Sequence, residues 1–353
     1  MKRILPLLIL TSLPIGAETR DTPDILDPPI TPNFTLRLTA GVIAEDGNPI
    51  ENSDVHVGIV NINDFKDGRN DIRGKTDIDG KFSAEGIGLP EATISAMHEG
   101  YYPSTKTYSN WGSFQEAKTT GKYAPWDPLI ELSLKKIGKP IPMLVWLDGD
   151  DSIKTSPNPG KAVGFDLFEG DWVAPHGKGK TSDLLITLTL LEKNDVDGAV
   201  KGGIRFANKE DGLIPIMELS APESVLKYPR IALEDGYDVK FVSPPYAMPV
   251  SGVEVEAPEP VGYFFRIRTQ KDESTGKILS AFYGKIISQP GIPHPSQSPF
   301  QLHRYSYSNQ GRKIEPGVRF SYYLNPTAND RNLEYDQRTN LAPEADEGSV
   351  YAP

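Results

Sequence analysis

Residues 174–182 read A-P-H-G-K-G-K-T-S, and Gly179, Lys180 and Thr181 fit the end of a phosphate-binding G-x-x-x-x-G-K-[ST] loop, with Ala174 where the first glycine belongs. Such a loop must open a helix whose amides face the phosphates. Here it is followed by S-D-L-L-I-T-L-T-L-L-E, which alternates with β-branched residues as a strand does. A cationic, glycine-rich turn is expected, and no bound nucleotide.

Two acidic stretches have the composition of calcium loops. In T-D-I-D-G-K-F-S-A-E-G-I, residues 76–87, alignment on Gly80 puts Asp77 and Asp79 at the third and fifth positions of an EF-hand loop. Lys75 then falls at the first position and Gly86 at the twelfth, so two essential ligands are missing. Asp79-Gly80 reads instead as a hairpin turn. In W-L-D-G-D-D, Asp148, Asp150 and Asp151 offer hard oxygens that would suit calcium, although a solvated acidic turn is the simpler explanation. Calcium is the one ion these residues would suit, and no other cofactor is expected.

The aromatic residues suggest binding. Between Ser104 and Asp127 lies a long insert carrying Trp111, Phe114, Tyr123 and Trp126, and later come Asp171, Trp172 and His176. Ring faces beside carboxylates are what a glycan site uses, since sugar C–H faces stack on rings and hydroxyls bond to acids. Trp111, Tyr123, Asp171, Trp172 and His176 are therefore candidate ligand-binding residues. The competing reading makes these rings the plug between two domains. Between the two readings, Trp126 is expected to be buried and Trp111 or Trp172 exposed. No G-x-S-x-G is present, and no catalytic residue can be named.

These residues sit in a chain of short alternating runs. In F-T-L-R-L-T-A-G-V, Leu36, Leu38, Ala40 and Val42 share one face; in D-V-H-V-G-I-V, Val55, Val57 and Ile59 do. In P-L-I-E-L-S-L-K-K-I, Ile130, Leu132 and Leu134 point inward and Glu131, Ser133 and Lys135 outward. Beyond K-I-G-K-P-I-P-M the same kind of run continues in L-L-I-T-L-T-L-L-E, G-Y-F-F-R-I-R-T and L-S-A-F-Y-G-K-I-I. No helical apolar period is sustained, and 353 residues suffice for two domains. The expected fold class is all-β.

The amino terminus places Lys2 and Arg3 before a short apolar run that ends at Gly16 and Ala17, the layout of a cleaved secretory leader. Residues 1–17 are expected to be that leader, and 18–33, rich in Pro and Asp, an extended tether. The net charge of −11 disfavours nucleic acid and anionic lipid. Cysteine is absent, which excludes disulfides and thiolate metal sites. No later run is apolar enough to cross a membrane as a helix.

Residues 34–136 resemble a known module. The succession G-V-I-A-E-D-G-N-P-I-E-N-S-D-V-H-V, then G-K-T-D-I-D-G-K-F-S-A-E-G-I, then A-T-I-S-A-M-H-E-G-Y-Y-P is similar to the carboxypeptidase regulatory-like domain. That resemblance implies a transthyretin-like or Ig-like β-sandwich, followed in residues 137–353 by a second mostly-β domain. The module carries no catalysis itself. The metallopeptidases it is named for need H-x-x-E, and none of His56, His98, His176, His294 or His303 has a glutamate three residues on. The chain as a whole also resembles uncharacterised secreted bacterial proteins with this module. The expected function is binding or scaffolding in the bacterial envelope, with polysaccharide or an envelope protein as partner, in the periplasm, at the cell surface or outside the cell. A glycan-directed hydrolase and a purely structural spacer are the alternatives.

Overall fold

The computed structural model describes residues 33–61, 68–147, 153–191, 199–242, 260–288, 298–307 and 313–342. The expected leader, all but the last residue of the tether, and the acidic turn with Asp148, Asp150 and Asp151 lie outside them.

Alternation in the sequence becomes strand in the structure, and the chain is all-β. Leu36, Leu38, Ala40 and Val42 are buried along the strand Phe34–Ala44, because side chains two apart share a face. This strand is central in a three-stranded sheet, antiparallel to Lys81–Gly88 and parallel to Leu129–Leu134. Facing it is a four-stranded sheet in the order Arg69–Lys75, Asp54–Val60, Glu91–Met97, Ser104–Ser109. Val55, Val57, Ile59, Ala92, Ile94 and Ala96 supply its inner face. The resulting hydrophobic cluster is drawn wholly from residues 34–134. The insert adds the helices among the described residues, a 3-10 turn at Trp111–Ser113 and an α-helix at Phe114–Thr120.

Asp79-Gly80 does form a turn, though not a hairpin. Gly80 has φ +72°, a left-handed conformation that glycine adopts without strain. The Asp77 carboxylate accepts the amides of Asp79 (3.0 Å) and Lys81 (2.8 Å), so that it closes the turn from inside. The flanking strands belong to opposite sheets, since the Gly80 carbonyl accepts the Val42 amide (2.7 Å) and hands the chain to the first sheet.

The rest of the chain is organised by a six-stranded sheet in the order Gly212–Ile216, Gly262–Lys271, Ile278–Ile287, Ser321–Leu324, Ile141–Trp146, Tyr335–Asn340. Both its faces are buried. Leu144, Phe265, Ile286 and Tyr322 pack into one cluster, and their neighbours Met143, Val145, Phe264, Ile287 and Tyr323 into another. A sheet covered on both sides needs continuous apolar strands, which is why G-Y-F-F-R-I and S-Y-Y-L do not alternate. A five-stranded sheet centred on Leu184–Leu191, and a three-stranded one that includes Lys313–Arg319 and Lys154–Thr155, contribute to the first cluster. Over the second lies a segment poor in regular strand, residues 219–237, through Tyr228, Ala232 and Tyr237.

Because the hydrophobic cluster of residues 34–134 is self-contained, residues 33–136 expressed alone should melt cooperatively with a β-type circular dichroism spectrum. Within that fragment Leu38→Ala should cost about 2–5 kcal/mol, as a fully buried leucine does. A molten fragment would show that the first module needs the second for its core.

Candidate functional site

A cleft of about 450 Å³ opens where three pieces of the second half meet, lined by Thr155, Ser156, Pro157, Pro159, Trp172, His176 and Glu315. Its sides are tied together through the backbone. The strand Lys154–Thr155 pairs with Val318 and Gly317, and the Ser156 amide extends that ladder to the Pro316 carbonyl (2.8 Å), beside Glu315. Trp172 pairs with Phe165, and its ring packs edge-on against the Phe165 ring at 5.5 Å. The His176 amide donates to the Val173 carbonyl (3.1 Å), which folds the loop back over the tryptophan.

The structure thus brings Asp171, Trp172 and His176 to one place and puts Trp111 and Tyr123 elsewhere. Trp172 is only 6% exposed, so it floors the cleft and does not offer a free face. Asp171 binds its own chain, accepting the amides of Trp172 (2.8 Å) and Lys178 (3.0 Å). Tyr123 is not a surface ring: it is buried against Phe34 and donates its hydroxyl to the Gly88 carbonyl (3.1 Å). Trp111 is 50% exposed and leans on Phe114. Trp126, expected inside, is 41% exposed with the Lys122 ammonium 4.4 Å from its ring. Its neighbour Asp127 anchors that loop instead, accepting from Arg37 (3.0 Å) and Thr39 (2.7 Å). None of these four rings is the plug between the two halves.

The glycine-rich loop has no helix after it, and its amides already hold anions supplied by the chain. Lys180 and Thr181 both donate to the Asp166 carboxylate at 2.9 Å. Arg268, at φ +52° in a bulge of its strand, bridges Asp166 (2.7 Å) and Asp183 (2.8 Å) and covers the Phe168 ring. Asp211 accepts the two bulge amides, of Arg268 and Thr269, each at 2.9 Å. The two acids around Arg268 move oppositely. Burial would raise Asp166, but amides from Lys180, Thr181 and Phe168 and the Arg268 charge hold it below the usual range. Burial wins at Asp183 and pushes its carboxyl up, despite Arg268.

A second polar cluster joins the halves. Glu334 is buried in the second half, yet it accepts from three groups near or in the first: the Tyr102 hydroxyl (3.0 Å), the Gly138 amide (2.7 Å) and the Lys139 amide (2.9 Å). A Cβ on Gly138 would come to 2.5 Å from that carboxylate, which would have to shift to admit it. Arg230 reaches Glu45 (2.8 Å) and the Lys136 carbonyl (2.8 Å). Residues 223–225 lie along the edge of the four-stranded sheet, with Thr105 donating to the Glu223 carbonyl and Val225 to the Pro103 carbonyl. Lys135, expected on an outward face, is buried here with its ammonium on Ser220 and the Tyr228 carbonyl. The alternation was correct for the sandwich; the outer face is covered by the other half. Lys285, fully buried, donates to the Leu333 carbonyl (3.0 Å).

Ser156, Glu315, Glu334 and Lys285 were invisible as site residues in the sequence. Lys285 carries the one available signal, a charge inside the apolar run L-S-A-F-Y-G-K-I-I.

No family model and no curated protein matches the chain. Among solved structures, a catechol 1,2-dioxygenase from Acinetobacter is similar over 33% of this chain and 56% of its own, at 13% identity and a TM-score of 0.22. The chain thus spans just over half of that enzyme. The shaft pilin of Lactobacillus rhamnosus GG matches over 51% of this chain and 90% of its own, at 14% identity and a TM-score of 0.22. The major pilin subunit BcpA of Bacillus cereus matches over 81% and 95%, at 10% identity and a TM-score of 0.20. The all-β class rests on the strands themselves.

Burial lowers Lys285 to about 7, with the nearby Lys135 charge adding to the shift and Glu334 opposing it, and burial lowers Lys135 to about 8. Both groups return to about 10.5 when the chain unfolds, so unfolding between those values takes up protons. Stability should therefore rise as pH goes from about 7 toward 9.5. Above about 10 the sign reverses, because buried tyrosines such as Tyr228, raised to about 12, stay protonated only when folded. Urea midpoints across this range would measure the slope. Lys285→Met should flatten it and leave the protein at least as stable near neutrality.

Proposed function

We propose that the protein is an exported, non-catalytic binding or scaffolding component of the bacterial envelope, with polysaccharide as its binding class. The apolar leader supports export. The observation that carries the scaffolding reading is the joint at Glu334, where the Tyr102 hydroxyl donates to a buried carboxylate across the halves and Arg230 reaches Glu45 beside it. An enzyme that closes two domains on its substrate needs an interface that yields. This interface holds two modules at a fixed spacing, as a scaffold requires.

The carboxylates argue the same way. Glycoside cleavage needs two acids, one to give a proton and one to attack or activate water. Asp166 and Asp183 are both committed to Arg268 and to backbone amides. At the cleft, Glu315 is the one lining carboxylate among the described residues, and the adjacent Asp171 is spent on its own loop. For residues 34–136, the two facing sheets are in keeping with the carboxypeptidase regulatory-like resemblance, which adds a non-catalytic precedent.

The full chain, incubated with insoluble cellulose, chitin and peptidoglycan, should co-sediment with at least one of them and release no reducing ends. Sustained release of reducing ends would replace this reading with that of a hydrolase. Failure to sediment with any of the three would remove polysaccharide as the binding class.

A further inference from the structure

We propose that the cleft over Trp172 is a binding site for a neutral saccharide unit, with Ser156 and Glu315 as the groups that read its hydroxyls. The assignment rests on the polysaccharide reading above and deepens it. Its volume, about 450 Å³, lies within the roughly 300–1,000 Å³ of small-ligand sites.

Ser156 provides the observation that points to a ligand. It lines the cleft and is 6% exposed, and its hydroxyl oxygen has no hydrogen-bond partner. Buried polar groups are almost always paired, and an unpaired one in a folded protein needs a reason. A serine hydroxyl can both donate and accept, and it changes direction by turning about χ1. Here that turn breaks no hydrogen bond, so the side chain can swing to meet a group arriving in the cleft.

The other walls select the chemistry of that group. The Glu315 carboxylate only accepts, so the ligand must bring O–H or N–H donors. A phosphate or carboxylate ligand would meet like charge there, and the Lys180 ammonium on the neighbouring loop is held by Glu169 at 2.6 Å. Pro157 and Pro159 present carbon surface, which suits the C–H faces of a pyranose. A polyol with alternating hydroxyls and C–H faces satisfies all of these walls at once. The site is also set in advance: Asp171 holds the amides of Trp172 and Lys178, and the Pro316 carbonyl holds Ser156, so little ordering remains for the ligand to drive.

The test is saturation-transfer NMR and calorimetry on the full chain with glucose, galactose, mannose, N-acetylglucosamine, cellobiose and chitobiose, and with glucuronate as the charged control. At least one neutral sugar should bind, more tightly than glucuronate. Ser156→Ala and Glu315→Gln should each weaken it by about tenfold, the worth of one good hydrogen bond. Ser156→Ala should also leave the melting temperature unchanged or raised, because it deletes an unpaired buried hydroxyl. The proposal falls if no neutral sugar binds, if glucuronate binds better, or if both variants bind as wild type does. It falls too if Ser156→Ala lowers the melting temperature without changing affinity, which would make the hydroxyl structural. Variants that still co-sediment with polysaccharide at full strength would overturn this site alone; loss of all sugar binding by the wild-type chain would overturn the polysaccharide reading with it.

Discussion

A buried carboxylate has to be supplied with donors, and Glu334 takes one of them, the Tyr102 hydroxyl, from the other half of the molecule. An ionised acid away from water costs several kcal/mol unless hydrogen bonds replace its hydration. Tyr102, Gly138 and Lys139 provide three such bonds, and the Asn332 side chain fixes the backbone of Glu334 from within its own half. If the halves part, the carboxylate loses the Tyr102 hydroxyl, so their relative position is part of the same free-energy balance as the fold. Arg230 and residues 223–225 follow the same logic, pairing across the joint with Glu45, Lys136, Pro103 and Thr105.

The six-stranded sheet carries further buried polar groups. Where both faces of the sheet are covered a polar side chain is trapped, and the buried Lys285 donates to the Leu333 carbonyl with its ammonium near the Tyr323 ring. On the opposite side, Arg268 meets Asp183 and Asp166 across the gap to the five-stranded sheet. The chain thus holds its layers together with a few polar contacts set in two large apolar clusters. Such contacts add less to stability than apolar packing of the same volume would, but breaking one partner is expensive. They favour one arrangement of the sheets over others.

What could be read in the sequence followed side-chain periodicity. Leu36 to Val42 and Val55 to Ile59 were legible because a strand with one buried face alternates. The turn at Gly80 was legible too, though its strands enter different sheets, which no local signal records. Lys135 was misplaced because alternation reports which face a residue occupies and not what covers it. Trp126 was misplaced because prolines beside it suggested anchoring, while the anchor is the carboxylate of Asp127. Asp171, Trp172 and His176 were found together because they are close in sequence. Ser156 and Glu315 join them only through strand pairing over long separations, which the chain order conceals.

The fixed relation of the two halves can be measured directly. Because the chain has no cysteine, spin labels can be placed at two exposed positions, through Asp79→Cys in the first module and Glu273→Cys in the second. Pulsed electron spin resonance should then give one narrow distance distribution for the otherwise unchanged chain, and a broad one when Glu334→Ala is added. A broad distribution with Glu334 in place, or an equally narrow one without it, would contradict the account.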